Sequence, residues 1–579
     1  MEYPELADRT GRFRFGTPHA LTVGDDGARV AFLRSAGPRD PEPGLWSLDV
    51  ATAALTLVAA GPVHSYAGSA KLDVLAWAHE GRLFTSTAGR IDTAATALDP
   101  RPDPAGRHIG YLTPDGCLRV ITGSDDQLIA GEPDASWGVA EPAAAEFGRD
   151  RGWWWSPDGT QILAVRSTDT APSLHLLDLF GGWVDVHWDR ETYPYLTDMH
   201  WSGTGHALIT VLRRTQQHGL VLSIDPRTGE TQVHAELADA RWVEPLPGTP
   251  RQLPDGRIMV GGELAHDGFD ARCLFADGSL ITPPGLYIRR VAGVLPRPTG
   301  GPEIIIEGTE GEPAEQHVFA VRTAQAGGVS SRRLTAEPGW HTATVGGDVL
   351  VVDLTVLRGS AEVRELPSVA EPLPYAPRPV LERVTDRRLP SGVLYPTGHV
   401  TGTRLPVLLE LGEGPGHQQV VVDPARWQER QWWADAGFIV VSVDSRGTPG
   451  VAPSFEKVIY RRLADVALID HIDALRFLTG KHPDLDLRRV AVRGTRLGGW
   501  LAAVAVQRRH DIFRCGVALD PITDWAALPT AYAERYLGSQ ADNSDVYHHH
   551  RVEPAAAGLL ISPAGGLSEE LAFVTRECA

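Results

Sequence analysis

The chain has 579 residues, and its 73 acidic against 54 basic side chains give a formal charge of −19, which opposes attraction to phosphate backbones and anionic lipid and argues against nucleic acid or a membrane surface as partner. The length exceeds one ordinary domain, and 42% hydrophobic with 22% charged residues is the balance of a soluble folded protein rather than a fibrous or disordered one. Residues 1–6 carry no basic stretch leading into an apolar one, and no uncharged run approaches the roughly 18 residues of a membrane helix. A cytoplasmic protein without membrane contact is expected.

Up to about residue 365 the pattern is of short β-rich runs punctuated by turn signals, with hardly any sustained helical period. A degenerate unit recurs, in which an apolar residue and a polar turn ending in Gly precede an alternating strand. Asp25-Asp26-Gly27 stands before Val30-Ala31-Phe32-Leu33, and Trp155-Ser156-Pro157-Asp158-Gly159 before Ile162-Leu163-Ala164-Val165. Trp201-Ser202-Gly203-Thr204-Gly205 and Pro254-Asp255-Gly256 continue the series. A spacing of roughly 45 to 80 residues suits four-stranded β-propeller blades, each burying a face only against its neighbours, and predicts seven or eight of them. The tryptophans Trp153, Trp154 and Trp155 are expected in blade core rather than as a stacking platform.

Pro367, Pro372, Pro374, Pro377 and Pro379 then crowd a stretch where missing N–H donors and fixed φ angles stop ladders and helices. The expected division is therefore a propeller over 1–365, a Pro-rich linker over 366–380, and a second domain over 381–579. In that second domain, apolar strands at 407–409, 438–443, 490–492, 517–519 and 559–561 alternate with helical patterns. Leu468, Ile472, Leu475 and Leu478 form one helical stripe that Gly480 is expected to close. Alternating β and α with apolar strands predicts a mostly parallel sheet covered on both faces, of the α/β-hydrolase kind.

The run Val490-Ala491-Val492-Arg493-Gly494-Thr495-Arg496-Leu497-Gly498-Gly499 reads as strand, tight turn and helix. That is the setting of a nucleophile elbow, G-x-S-x-G, where small neighbours are needed because the nucleophile sits at a strained backbone angle. Gly494 and Gly498 supply them, but the nucleophile position holds Arg496.

The second half resembles the dipeptidyl peptidase IV-type members of the prolyl oligopeptidase family in several phrases. These are Asp444-Ser445-Arg446-Gly447, the elbow itself, Pro521-Ile522-Thr523-Asp524-Trp525, and Tyr532-Ala533-Glu534-Arg535-Tyr536-Leu537-Gly538. The propeller half is similar at Arg149-Asp150-Arg151-Gly152-Trp153-Trp154-Trp155. The resemblance implies eight blades, an α/β-hydrolase domain, and an ancestry of removing dipeptides from N-termini with Pro or Ala second. It also implies losses. Arg496 matches the nucleophilic serine, and Gly412, in Gly412-Glu413-Gly414-Pro415, matches the tyrosine that helps hold the oxyanion. Ser562-Pro563-Ala564-Gly565-Gly566 replaces the loop bearing the catalytic acid. Only 18 residues follow Ile561 and none is His, so a C-terminally truncated hydrolase domain and an inactive homologue, a pseudopeptidase, are expected.

Some substrate contacts persist by the same resemblance. Glu146 matches one of two carboxylates that anchor a peptide ammonium, the other position being Ala145, and Ile522, Trp525 and Tyr532 match the pocket that receives Pro. A peptide N-terminus is thus one expected ligand. Arg496, at a helix start, is a candidate contact for a small anion, weighed against an ion pair with Glu413, Asp520 or another acid. Partnership with a second copy or an active paralogue is also implied. No metal or cofactor is expected: Cys117, Cys273, Cys515 and Cys578 lack CxxC spacing and are expected to be separate thiols. His548-His549-His550 cannot converge on one ion and is expected in a solvated loop.

Overall fold

The computed structural model describes residues 2–168, 172–201, 203, 205–266, 268–297, 301–323, 328–553, 557–562 and 566–579; Ser202 and Thr204 of the third turn phrase, and Pro563, Ala564 and Gly565 after the last strand, lie outside them. Eight antiparallel sheets occupy residues 19–59, 67–91, 98–130, 136–185, 195–238, 251–280, 286–333 and 343–365, an eight-bladed propeller. The Asp-Gly turns work as the repeat predicts, since Gly27, Gly159 and Gly256 take φ of 67°, 71° and 90°, the left-handed region that favours glycine. The ring closes by packing: Val23, Val30 and Phe32 of the first blade share a core with Val349, Val351 and Val356 of the last. Trp153 and Trp154 are buried and Trp155 half-buried in the blade 4 region.

Blade 4 carries an insertion. Its strand Gln161–Ser167 pairs at one end with Ser136–Trp137 and at the other with Trp153–Trp155, and the chain between them leaves the sheet. This insertion holds a 3-10 helix, Pro142–Phe147, started by a proline in its first turn and ended by Gly148 at φ 74°. Glu141 and Arg149, both buried, form an ion pair across its two ends.

The last blade strand ends at Glu365 and the hydrolase sheet begins at Val380. Residues before the first blade add no strand to the propeller, though Gly16 N–H donates to Ser35 Oγ of blade 1 at 2.8 Å. The helix Tyr3–Arg9 places Tyr3 against Tyr375 and Trp432, so this segment rests on the second domain, because its aromatic side chains find their apolar partners there.

The hydrolase sheet has seven strands: β1 (Val380–Val384), β2 (Leu389–Leu394), β3 (Leu405–Glu410), β4 (Ile439–Val443), β5 (Leu485–Thr495), β6 (Phe513–Leu519) and β7 (Leu559–Ser562). Their spatial order is β1-β2-β4-β3-β5-β6-β7, antiparallel in the first two pairings and parallel from β4 to β7. Alternation along the strands splits the core. Val407, Leu409, Val490 and Val492 face helices α2 (Leu463–Lys481) and α3 (Leu497–Arg508). Leu408, Ala491 and Val517 face α1 (Gln428–Asp435) and α6 (Leu567–Glu577), the period of two expected of a sheet covered on both sides.

Three expectations change. Helix α2 runs through Gly480 to Lys481, and no left-handed glycine ends it; the last turn is held by His482 N–H donating to Leu478 O. The three histidines lie on helix α5 (Ser544–His550), not in a loop, and His550 is fully buried because its ring stacks on Trp500 at 5.8 Å. The cysteines are not all separate: folding α6 back over the sheet brings Cys578 Sγ to 3.9 Å from Cys515 Sγ, both buried. Among the described residues no helix is long and apolar enough to cross a membrane.

Candidate functional site

The turn from β5 into α3 keeps the geometry of an elbow. Arg496 sits at its apex with φ 54° and ψ −110°, a sparsely populated conformation that costs a non-glycine residue about 1–3 kcal/mol. Close backbone packing enforces it. A Cβ on Gly494 would lie 2.3 Å from Gly498 C, and one on Gly498 would lie 2.5 Å from Gly412 O. Arg496 N–H donates to Leu519 O at 2.8 Å and Arg496 O accepts from Trp500 N–H at 2.9 Å, fixing the apex between β6 and the first turn of α3. The N–H groups that open α3 have no acceptor within their own helix.

The Arg496 side chain is exposed, and no carboxylate of the described residues lies within 4.0 Å of its guanidinium. The ion pair expected with Glu413 or Asp520 is therefore not formed. The loop after β3 runs past the elbow with Gly412 half-buried and Glu413 exposed, so Gly412 offers no side-chain donor there and a carboxylate stands next to it. Behind this loop opens a cavity of about 600 Å³ lined by Glu413, His417, Arg430, Arg493 and Thr495. Burial holds the His417 imidazole below its usual pKa.

Glu146 approaches from the propeller, on the blade 4 insertion, and helix α4 (Thr530–Leu537) joins the two sides. Arg535 of α4 donates to Glu146 O at 3.4 Å and to Gln216 Oε1 at 2.7 Å, and its guanidinium lies over the Phe147 ring at 5.1 Å. Burial raises the Glu146 carboxyl above its ordinary pKa, opposed by the charges of Arg535 and Arg496. Tyr532 stacks on Trp525 at 6.1 Å and meets Tyr536 edge-on at 5.1 Å. Its phenol is pushed well up by burial, then by Tyr536 and Glu146, while Arg535 and Arg496 act the other way. The charges of Glu146, from the propeller, and Arg496, from the hydrolase domain, thus both act on Tyr532.

Residues 425–559 match the model of the prolyl oligopeptidase family. Human dipeptidyl peptidase 8 is 31% identical over 188 residues, 31% of this chain and 20% of that protein. A probable dipeptidyl-aminopeptidase B of Penicillium rubens is 23% identical over 88% of this chain and 63% of its own length. The crystal structure of Porphyromonas gingivalis dipeptidyl peptidase 4 superposes with a TM-score of 0.80, at 17% identity, over 100% of this chain and 94% of that one. The chain thus matches the prolyl oligopeptidase family over residues 425–559 and has the fold of dipeptidyl peptidase 4 along its length. It spans between 20% and 63% of the length of these two curated relatives.

The remaining predicted residues divide. Ile522 is half-buried, whereas Trp525 is 0% exposed. Trp525 is packed on Trp500 at 5.4 Å and on Tyr532, with no surface open to a ligand. Sequence reasoning passed over the residues that lock the two domains around the site. Arg214 and Glu534 form a two-pronged ion pair at 2.9 and 2.7 Å, and Gln216 Nε2 donates to Ala531 O at 2.5 Å. Glu534 and Arg535 lie inside a quoted phrase, but nothing in the sequence says that their partners come from blade 5.

Proposed function

We propose that this chain is a non-cleaving relative of the dipeptidyl peptidases, a pseudopeptidase that binds peptide N-termini at the domain interface. One observation carries the reading: a guanidinium stands at the apex of an otherwise intact elbow. Arginine stays protonated and offers no lone pair to a carbonyl carbon. Loss of the nucleophile alone typically costs about 10⁶ in turnover. Gly412 in place of an oxyanion donor and a 562–566 loop without a carboxylate point the same way. Glu146, Tyr532 and the α4 lock remain, which supports retained recognition of an ammonium group and an apolar side chain.

The test is hydrolysis of a chromogenic Xaa-Pro substrate together with labelling by a fluorophosphonate. Neither wild type nor Arg496→Ser is expected to react. Fluorophosphonate-sensitive turnover that co-purifies with the chain through successive columns overturns the reading in favour of an active serine dipeptidyl aminopeptidase. A second copy, or an active paralogue, is the partner we favour. Strand β7 pairs only with β6 among the described residues, and its outer edge is the kind that another chain covers. A single species of 62.5 kDa by light scattering at high concentration would remove self-pairing.

A further inference from the structure

The cavity of about 600 Å³ behind the β3 loop is lined by five arginines and four glutamates, among other residues, and its charges do not all pair. Arg493 reaches Glu410, Glu429 and Glu570 at 2.8, 2.9 and 2.6 Å, Arg12 meets Glu429 at 3.1 Å, and Arg426 turns to Asp423 at 3.6 Å. Three lining charges are left over. Among the described residues no carboxylate lies within 4.0 Å of the Arg14 or Arg430 guanidinium, and no cation within 4.0 Å of the Glu413 carboxylate. Arg430, on α1, is half-buried, and its N–H groups reach only neutral oxygens: Gln419 O at 3.3 Å, Arg426 O at 3.1 Å and Gln419 Oε1 at 3.1 Å. A partly desolvated guanidinium held by neutral acceptors keeps an uncompensated charge, which a carboxylate ligand would neutralise. Arg14 and Glu413 are exposed at the same cavity.

We propose that this cavity binds a free dicarboxylic amino acid, with its two carboxylates at Arg430 and Arg14 and its ammonium at Glu413. Two unpaired cations and one unpaired anion are the complement of a molecule with two negative groups and one positive group. The whole lining says the same, since five arginines against four glutamates leave one positive charge for a ligand of net charge −1. Each guanidinium can receive a carboxylate through two parallel N–H donors. An amide in place of either carboxylate leaves one arginine unmatched, and loss of the ammonium sets Glu413 against a dianion. The Arg493 cluster does not compete for the ligand, because its three carboxylates already hold the guanidinium between them. The volume lies within the roughly 300–1,000 Å³ of small-molecule sites. Neither Arg496 nor Glu146 lines this cavity, so binding here is independent of whether the chain cleaves peptides.

The experiment is calorimetric titration of the full chain with L-aspartate, L-glutamate and L-2-aminoadipate, and with L-glutamine and glutarate as partners lacking one charge. The best of the three dicarboxylic amino acids is expected to bind at least about tenfold more tightly than glutamine or glutarate. In Arg14→Gln the advantage over glutamine should vanish, and in Glu413→Gln the advantage over glutarate should vanish. Both side chains are exposed, and unchanged melting curves would show that the variants fold. Equal affinity for glutamine and the dicarboxylic amino acids in the wild type, or binding that neither substitution alters, would overturn the assignment. So would the absence of heat from all three at about 10 mM. Each of these results leaves the peptidase assay to decide inactivity separately, because that assay reads the elbow and not this cavity.

Discussion

The β5–α3 turn and helix α4 both belong to the hydrolase domain but are held in opposite ways. The turn is held by what is missing: Gly494 and Gly498 let backbone segments approach where a single Cβ would collide. Helix α4 is held by what is present, since Glu534 and Arg535 reach across to Arg214, Gln216 and Glu146 of the propeller. The turn's conformation therefore does not depend on the identity of its apex side chain, and chemistry there can be exchanged without loss of fold. In α4 the side chains are themselves the attachment.

If that contrast is right, the largest stability effect follows from deleting a side chain in α4. Arg535→Ala leaves the fully buried Gln216 without its donor and removes the cation nearest Glu244, 3.8 Å away; it should cost about 3–5 kcal/mol in chemical unfolding. A loss below about 1 kcal/mol would make α4 no more dependent on its side chains than an exposed surface helix.

His550, stacked behind the turn on Trp500 and edge-on to Trp525, comes next. Burial lowers its pKa to about 4. Its Nδ1 lies 2.8 Å from Val546 O and its Nε2 accepts from Ala464 N–H at 3.3 Å, an arrangement that requires the neutral ring. A folded pKa below the unfolded one means that this contribution is complete above about pH 6.5 and is lost as pH falls through about 4, to a total near 3 kcal/mol. Asp444, pushed up to about 6 by burial, slopes the other way over part of that range. The readout is therefore the difference between wild type and His550→Gln, which should shrink steadily from pH 7 to pH 4. A difference independent of pH would assign the ring a packing role alone.

Adding one carbon to the turn should cost less but still be measurable. Gly498→Ala forces a methyl toward Gly412 O, for about 1–3 kcal/mol. A neutral result would mean that the turn is as adaptable as a surface loop. The smallest effect has the reverse sign: Arg496→Gly relieves the apex angle and should raise unfolding stability by up to about 1 kcal/mol, in urea titrations of both proteins. Destabilisation would show that the Arg496 side chain holds the turn, and the comparison above would fail at its centre.

How much was legible in advance differs along the chain for identifiable reasons. Repeated Asp-Gly turns, period-two strands and the elbow's glycines are local signals, and each reports a backbone requirement that its own few residues satisfy. They placed seven or eight blades, the parallel sheet and the position of Arg496 before any coordinates. The ends of helix α2, the burial of His550 and the meeting of Cys515 with Cys578 were not readable, because each depends on which distant surface a segment packs against.

By itself, then, the sequence determined the architecture and the chemical identity of the apex residue, since short-range sterics and a side chain's fixed charge need no tertiary context. Only the folded chain decided that Arg496 is exposed with no carboxylate of the described residues within 4.0 Å, that Arg535 reaches the Glu146 backbone from across the domain boundary, and that Trp525 is buried between Trp500 and Tyr532. Those are matters of distance between residues hundreds of positions apart, and packing between the two domains sets them.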